Sequence, residues 1–301
     1  MEEKPFVPLG LQSPEAIQAK LEEIGDLDKA VSYGLESAAR QRPWLDTQHQ
    51  YGFIAPFTPG TQRYHPIQSA TNMAGDETLR GQRINIRLDY LRIYDYPTAL
   101  FNPTHNVHTI LFTFEARNQV ENDKEEPVAF NQLYKARTKQ DAAVAGQPVF
   151  IGLTVGMNGV GFTCKTVNVA NSTDEDLVNI FESDAVTSGL NLLTTAQPAL
   201  TPLTTLARGL CVSLASHNRN VPVQEVRLGL DFDTGFTGGR LAVGSYVVAQ
   251  TARPDEIVWS EWAYDAETGT ITRDPQSLPP GEKPYPLPHN AFVFRVSRYT
   301  S

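Results

Sequence analysis

The sequence predicts a mainly β protein: an antiparallel β-sandwich of about nine strands, with an inserted α-helical hairpin and an N-terminal helical segment. Three observations carry that expectation. From Ile84 onward apolar residues recur at every second position in run after run, the period of a half-buried strand. Residues 148–171, PVFIGLTVGMNGVGFTCKTVNVAN, place Asn158-Gly159 between two such runs, and a type I′ hairpin turn needs positive φ at both central residues. The alternation of apolar and polar positions favours antiparallel pairing, in which one face meets the core and the other meets solvent.

The elements follow in chain order. Ser13-Pro14-Glu15 reads as an N-cap with proline at the first helical position. Ile17, Leu21, Ile24 and Leu27 then recur at helical spacing, extended by Ala30, Val31, Leu35 and Ala38, with a break expected at Gly25-Asp26. Residues 42–82 hold no sustained period and are expected to wrap the surface or meet a partner. Residues 1–82 are therefore read as a helical and irregular segment packing on a sandwich that spans 83–301.

Ile84, Ile86, Leu88 and Tyr90 form the first alternating strand, and a phase slip at Leu91 predicts a bulge. Strands follow at about 107–116 (Ile110, Phe112, Phe114) and 128–137 (Phe130, Tyr134), separated by a charged loop. In the 148–171 hairpin, a loop of Asn158-Gly159 pairs Met157 with Val160, Val155 with Phe162, Leu153 with Cys164 and Ile151 with Thr166. That register puts the apolar side chains on one face and Thr154, Gly156, Gly161 and Thr163 on the other.

Ser172-Thr173-Asp174-Glu175 has the form of a capping box, continued by Leu177, Ile180, Phe181 and Val186. A second helix is expected from Thr201-Pro202, with Leu203, Leu206, Leu210 and Leu214 on one stripe. Together they give a helical hairpin at about 172–217. Strands resume at 226–232, 241–250 and 257–264. A proline-rich stretch, 275–288, is expected to be extended and solvated, and 291–299 forms the last strand.

Composition narrows the function classes. With 41% hydrophobic and 20% charged residues, the 301-residue chain has ordinary globular proportions. A net charge of −9 and the lack of a Lys/Arg cluster argue against nucleic acid. Two cysteines, Cys164 and Cys211, are too few for a disulfide framework and are expected to be buried thiols. No secretory signal and no membrane-spanning run is recognised, so a cytoplasmic location is expected.

Candidate site residues are few. Asp233-Thr234-Gly235 after an apolar strand has the form of an aspartic-protease signature, making Asp233 a catalytic candidate. A second copy is lacking, and Phe236 stands where a small hydroxyl residue is usual. Asp231 and Asp233, with Asn171, Asp174 and Asp176, are candidate oxygen ligands for Ca²⁺. His105 and His108 have a spacing suited to metal on a helix or turn, yet point to opposite faces on a strand. No cofactor motif is present: there is no phosphate-binding loop and no Gly-x-Ser-x-Gly elbow.

From Ala185 to Ala207 no charged residue occurs. Leu190, Leu193, Leu203 and Leu206 are therefore the candidate partner-binding residues. The leading expectation is a non-enzymatic protein-binding or assembly module, joined to a protein partner or to itself. Two alternatives stand beside it: a membrane-acting effector using the 172–217 hairpin, and a hydrolase whose site is assembled from distant residues.

Overall fold

A computed structural model describes residues 5–35, 42–58, 60–97, 107–120, 124–142, 144, 146–170, 189–193, 200–217, 219–233 and 238–300. The protein is mainly β, and the described strands form three sheets. The strands are β1 (Gln48–Ile54), β2 (Tyr64–Pro66), β3 (Gln68–Ser69), β4 (Arg83–Ile93), β5 (Val107–Gln119), β6 (Glu125–Arg137), β7 (Gln140–Asp141) and β8 (Gln147–Thr154). They continue with β9 (Gly159–Val169), β10 (Leu190–Asn191), β11 (Val221–Asp231), β12 (Gly238–Arg240), β13 (Gly244–Thr251), β14 (Trp262–Asp265), β15 (Thr270–Arg273) and β16 (Ala291–Arg298). Among the described residues three α-helices accompany them: α1 (Pro14–Ile24), α2 (Leu27–Leu35) and α3 (Leu200–Ser216).

The eight-stranded sheet has the order β10-β8-β4-β16-β13-β1-β3, with β7 also on β4; the five-stranded sheet runs β12-β11-β9-β5-β6. Aromatic rings show how these two sheets face each other. Phe112 and Phe114 of β5 meet Phe292 and Phe294 of β16 edge-on, at 5.2 and 5.4 Å between centroids. Phe114 also meets Phe150 of β8 at 5.9 Å and Phe162 of β9 at 5.2 Å. These edge-to-face contacts are the geometry that opposed ring quadrupoles favour.

The third sheet, β15-β14-β2, covers the other side of the eight-stranded sheet. Its Trp262 and Ile271, with the neighbouring Ile67, Trp259 and Leu287, pack on Tyr90, Val247, Ala249 and Val293. The helix α3 lies on the far side of the five-stranded sheet, where Cys211 and Leu214 pack on Leu111, Val167 and Val169. The layers are thus helix, five strands, eight strands, three strands.

The N-terminal helices form as their sequence dictates. Ser13 Oγ accepts from the Ala16 amide at 3.3 Å, and Gly25 ends α1 in the left-handed region at φ 81°. Ile17, Leu21 and Ile24 join the main core.

Four expectations are corrected. The strands of the 148–171 stretch do not pair with each other: β8 joins β4 and β9 joins β5 and β11. Only Gly156 and Gly159 bridge, so the loop is Met157-Asn158, and the chain there crosses from one sheet to the other. Both strands do turn Leu153, Val155, Val160, Phe162 and Cys164 into the core, but from opposite walls, which alternation alone cannot distinguish from one shared face.

Residues 48–54, inside the stretch read as irregular, form β1, paired along its whole length with β13. In place of a strand at 257–264 there is a 3₁₀ turn, Trp259–Glu261, followed by β14. Finally, Leu190 belongs to a short strand parallel to β8, not to a helix. The first helix expected in the hairpin, from Ser172 onward, lies outside the described residues.

Candidate functional site

The long strands of the five-stranded sheet extend beyond α3, and the uncovered half of the outer face holds a cavity of about 560 Å³. Period-two alternation makes that face. While Phe114, Phe162, Cys164 and Leu228 point into the core, Glu115 and Arg117 of β5, Gly161 and Thr163 of β9, and Arg227 and Gly229 of β11 are turned outward. Register places them in rows. Glu115 stands opposite Thr163, and Thr163 opposite Arg227. In the next row Gly161 stands directly opposite Gly229. A side chain built on Gly161 would meet nothing within 4 Å, so two adjacent residues without side chains form an open floor.

The boundary with α3 is set by charge. Glu115, buried at 7% side-chain exposure, accepts from Lys165 Nζ at 2.9 Å and from Arg208 Nε of α3 at 2.7 Å. Next to it Asn131 Nδ2 donates to the Ala207 carbonyl at 2.7 Å, fastening the helix to β6. Around the trough Arg117 Nη1 lies 2.9 Å from Glu125 Oε2, and Arg227 Nη2 lies 3.4 Å from Glu225. Arg117 and Arg227 are the most open groups here, at 72% and 79% side-chain exposure. Counting Arg117, Arg208 and Arg227 against Glu115 and Glu125, the described lining carries one net positive charge on a chain of −9. Guanidinium groups of this kind bind carboxylates through two parallel hydrogen bonds. Among the described lining residues there is no histidine and no cysteine, and both carboxylates are held by cations.

The sequence candidates lie elsewhere. Asp233 is exposed past the end of β11, and its carbonyl accepts from Arg240. Thr234 and Gly235 lie outside the described residues. Burial pushes the Asp231 carboxyl above its usual range, while the nearby Arg240 opposes the shift. A guanidinium beside Asp231 and Asp233 is poor company for Ca²⁺. Asn171, Asp174 and Asp176 lie outside the described residues, as does His105. His108 is buried, with Nε2 2.9 Å from Thr138 Oγ1 and its ring edge-on to Tyr96. Among the described residues no three His, Cys, Asp or Glu side chains cluster as metal ligands would.

The four leucines do not form one patch. Leu190 is buried on β10, and Leu193 packs over Gly152, whose Cβ would lie 2.5 Å from Leu193 Cδ2. Leu206 is 53% exposed on α3, and the Leu203 side chain lies outside the described residues. The buried stripe of α3 is Thr204, Ala207, Cys211 and Leu214; it shares Leu214 with the leucine stripe read from the sequence, while the other three each sit one position further along. Small residues there let the helix approach the sheet, which leucines would hold off. Both thiols are free and buried, and burial pushes that of Cys211 up to about 11. No described helix is long and apolar enough to cross a membrane.

Sequence reasoning missed Glu115, Lys165 and Arg208. Each sits at an outward position of a recognisable strand or helix, so the signal was polarity against the alternation. Which strands adjoin was needed to bring them together. Comparison of the chain with protein-family models, with curated proteins and with solved structures finds no match.

Proposed function

We propose that the protein is a non-enzymatic binding module that docks an acidic, extended segment of a protein partner in the trough beside α3. The observation that carries this reading is the Gly161–Gly229 floor flanked by Arg117, Arg208 and Arg227. A floor without side chains admits a backbone at close range, and guanidinium groups on its rim reward carboxylates. Positive charge on an otherwise acidic protein steers such a segment to this face and repels it from the rest.

The test is fluorescence anisotropy with labelled peptides of alternating Glu and Val or Asp and Leu, against Lys-containing counterparts. Binding of the acidic set alone, weakening as salt is raised, is expected. Arg117→Glu with Arg227→Glu should reduce affinity by about tenfold or more, on the order of 1.4 kcal/mol. Gly161→Val should do the same by filling the floor. Failure of every acidic peptide to bind, or binding indifferent to all three substitutions, overturns the reading.

A further inference from the structure

We infer that a second cavity, along the edge of β1, is a binding site for a neutral sugar. The terminal strand β3 pairs with β1 only at Gly52 and Phe53, so among the described residues 48–50 have no strand beside them on that side. A cavity of about 570 Å³ occupies this edge, within the range of small-molecule sites.

One wall is apolar and fixed. Ile67, Ile257 and Trp259 form it, and a Cβ on Gly52 would stand 2.7 Å from Ile67 Cγ2 and 3.0 Å from the Trp259 ring. Gln50 locks the wall in place, receiving the Ile257 amide at 2.6 Å and donating to the Ile257 carbonyl at 3.2 Å. The opposite rim is a run of uncharged polar groups. Ser69 Oγ is 2.7 Å from Thr71 Oγ1, which donates to Asn72 Oδ1 at 3.3 Å. His49 also lines the cavity. Burial pushes its imidazole down to about 4, so the ring is neutral at pH 7, and its buried Nε2 has no hydrogen-bond partner among the described residues.

The chemistry of the lining selects the ligand. None of the described lining residues is Asp, Glu, Lys or Arg, in a chain where those types make up 20%. An ion entering here would find no counter-charge on the lining to offset the hydration it gave up. A purely apolar molecule would strip water from the rim and leave its amide and hydroxyl dipoles unpaired. A ligand with C–H faces and several hydroxyls that both donate and accept meets both walls at once. That description is a sugar, and it is independent of the acidic segment proposed for the trough.

Saturation-transfer NMR with glucose, galactose, mannose, N-acetylglucosamine, cellobiose and lactose at millimolar concentration tests the site, with glucuronate and glucosamine as charged controls. Transfer to at least one neutral sugar is expected, stronger than to either charged analogue. Asn72→Leu and Ser69→Ala, both on the rim and away from the core, should each weaken it by about threefold to tenfold with unchanged melting temperature. Arg227→Glu should leave it intact, which separates this site from the trough. Silence with all six sugars overturns the inference. So does equal transfer to the charged analogues, or a signal that neither rim substitution reduces.

Discussion

Phe114 touches more of the core's aromatic framework than its length suggests. Its ring meets Phe150, Phe162 and Phe294, which come from two facing sheets. Truncation to alanine therefore opens a cavity that no single sheet can close, and Phe114→Ala should cost about 3–5 kcal/mol in urea unfolding. His108 governs a different response. Burial, with the Lys29 charge nearby, pushes its imidazole down to about 4 from an ordinary 6.5. Between those values the unfolded chain takes up a proton that the native state excludes. Stability is thus unaffected by His108 above pH 6.5 and falls as pH drops from 6.5 to 4. His108→Gln, which can still reach Thr138, should flatten that fall by about 3 kcal/mol in thermal melts across the interval.

Among elements, the readable ones were those whose two faces see different surroundings. The strands β4, β5 and β16 carry the period-two apolar runs Ile84-Ile86-Leu88-Tyr90, Ile110-Phe112-Phe114 and Phe292-Phe294-Val296, and each lies within two or three residues of its expected limits. The bulge expected near Leu91 appears as a register shift opposite Val293 and Phe294. By contrast β1 reads Gln-His-Gln-Tyr-Gly-Phe-Ile, without alternation, because its outward positions are filled by Gln50, tied to Ile257, and by Gly52, beneath Trp259. A polar residue satisfied by backbone and a glycine under a ring carry no hydrophobic signal. The helix α3 was legible as a helix but not in its facing, since leucine outweighs alanine and cysteine in any sequence reading. Its close seat gives a direct test: Ala207→Leu should lift α3 from β6 and cost about 1–3 kcal/mol by chemical denaturation. The trough was illegible for another reason. Its parts lie on β5, β6, β9, β11 and α3, and only the strand order sets Thr163 between Glu115 and Arg227.

Over the whole molecule, the sheet order decides which parts are dispensable. In the eight-stranded sheet β16 lies between β4 and β13, in the middle and not at an edge. Its Phe292, Phe294 and Val296 belong to the main core. Removal of residues 291–301 should therefore abolish cooperative unfolding altogether, as seen by loss of the thermal transition, where loss of an edge strand would only lower its midpoint.

The placement of β16 also imposes an order in time. Leu88 of β4 is paired with Phe294, and Gln48 of β1 with Thr251, so two central seams join residues about two hundred positions apart. On a ribosome moving at about 5–20 residues per second, β4 emerges some 10–40 s before the strand that will lie beside it. During that interval one flank of β4 has hydrogen-bonding groups exposed and inward side chains Ile84, Ile86 and Leu88 awaiting cover. The nascent chain is then a template open to the wrong strand, and a cell making this protein would need to shield it until β16 arrives.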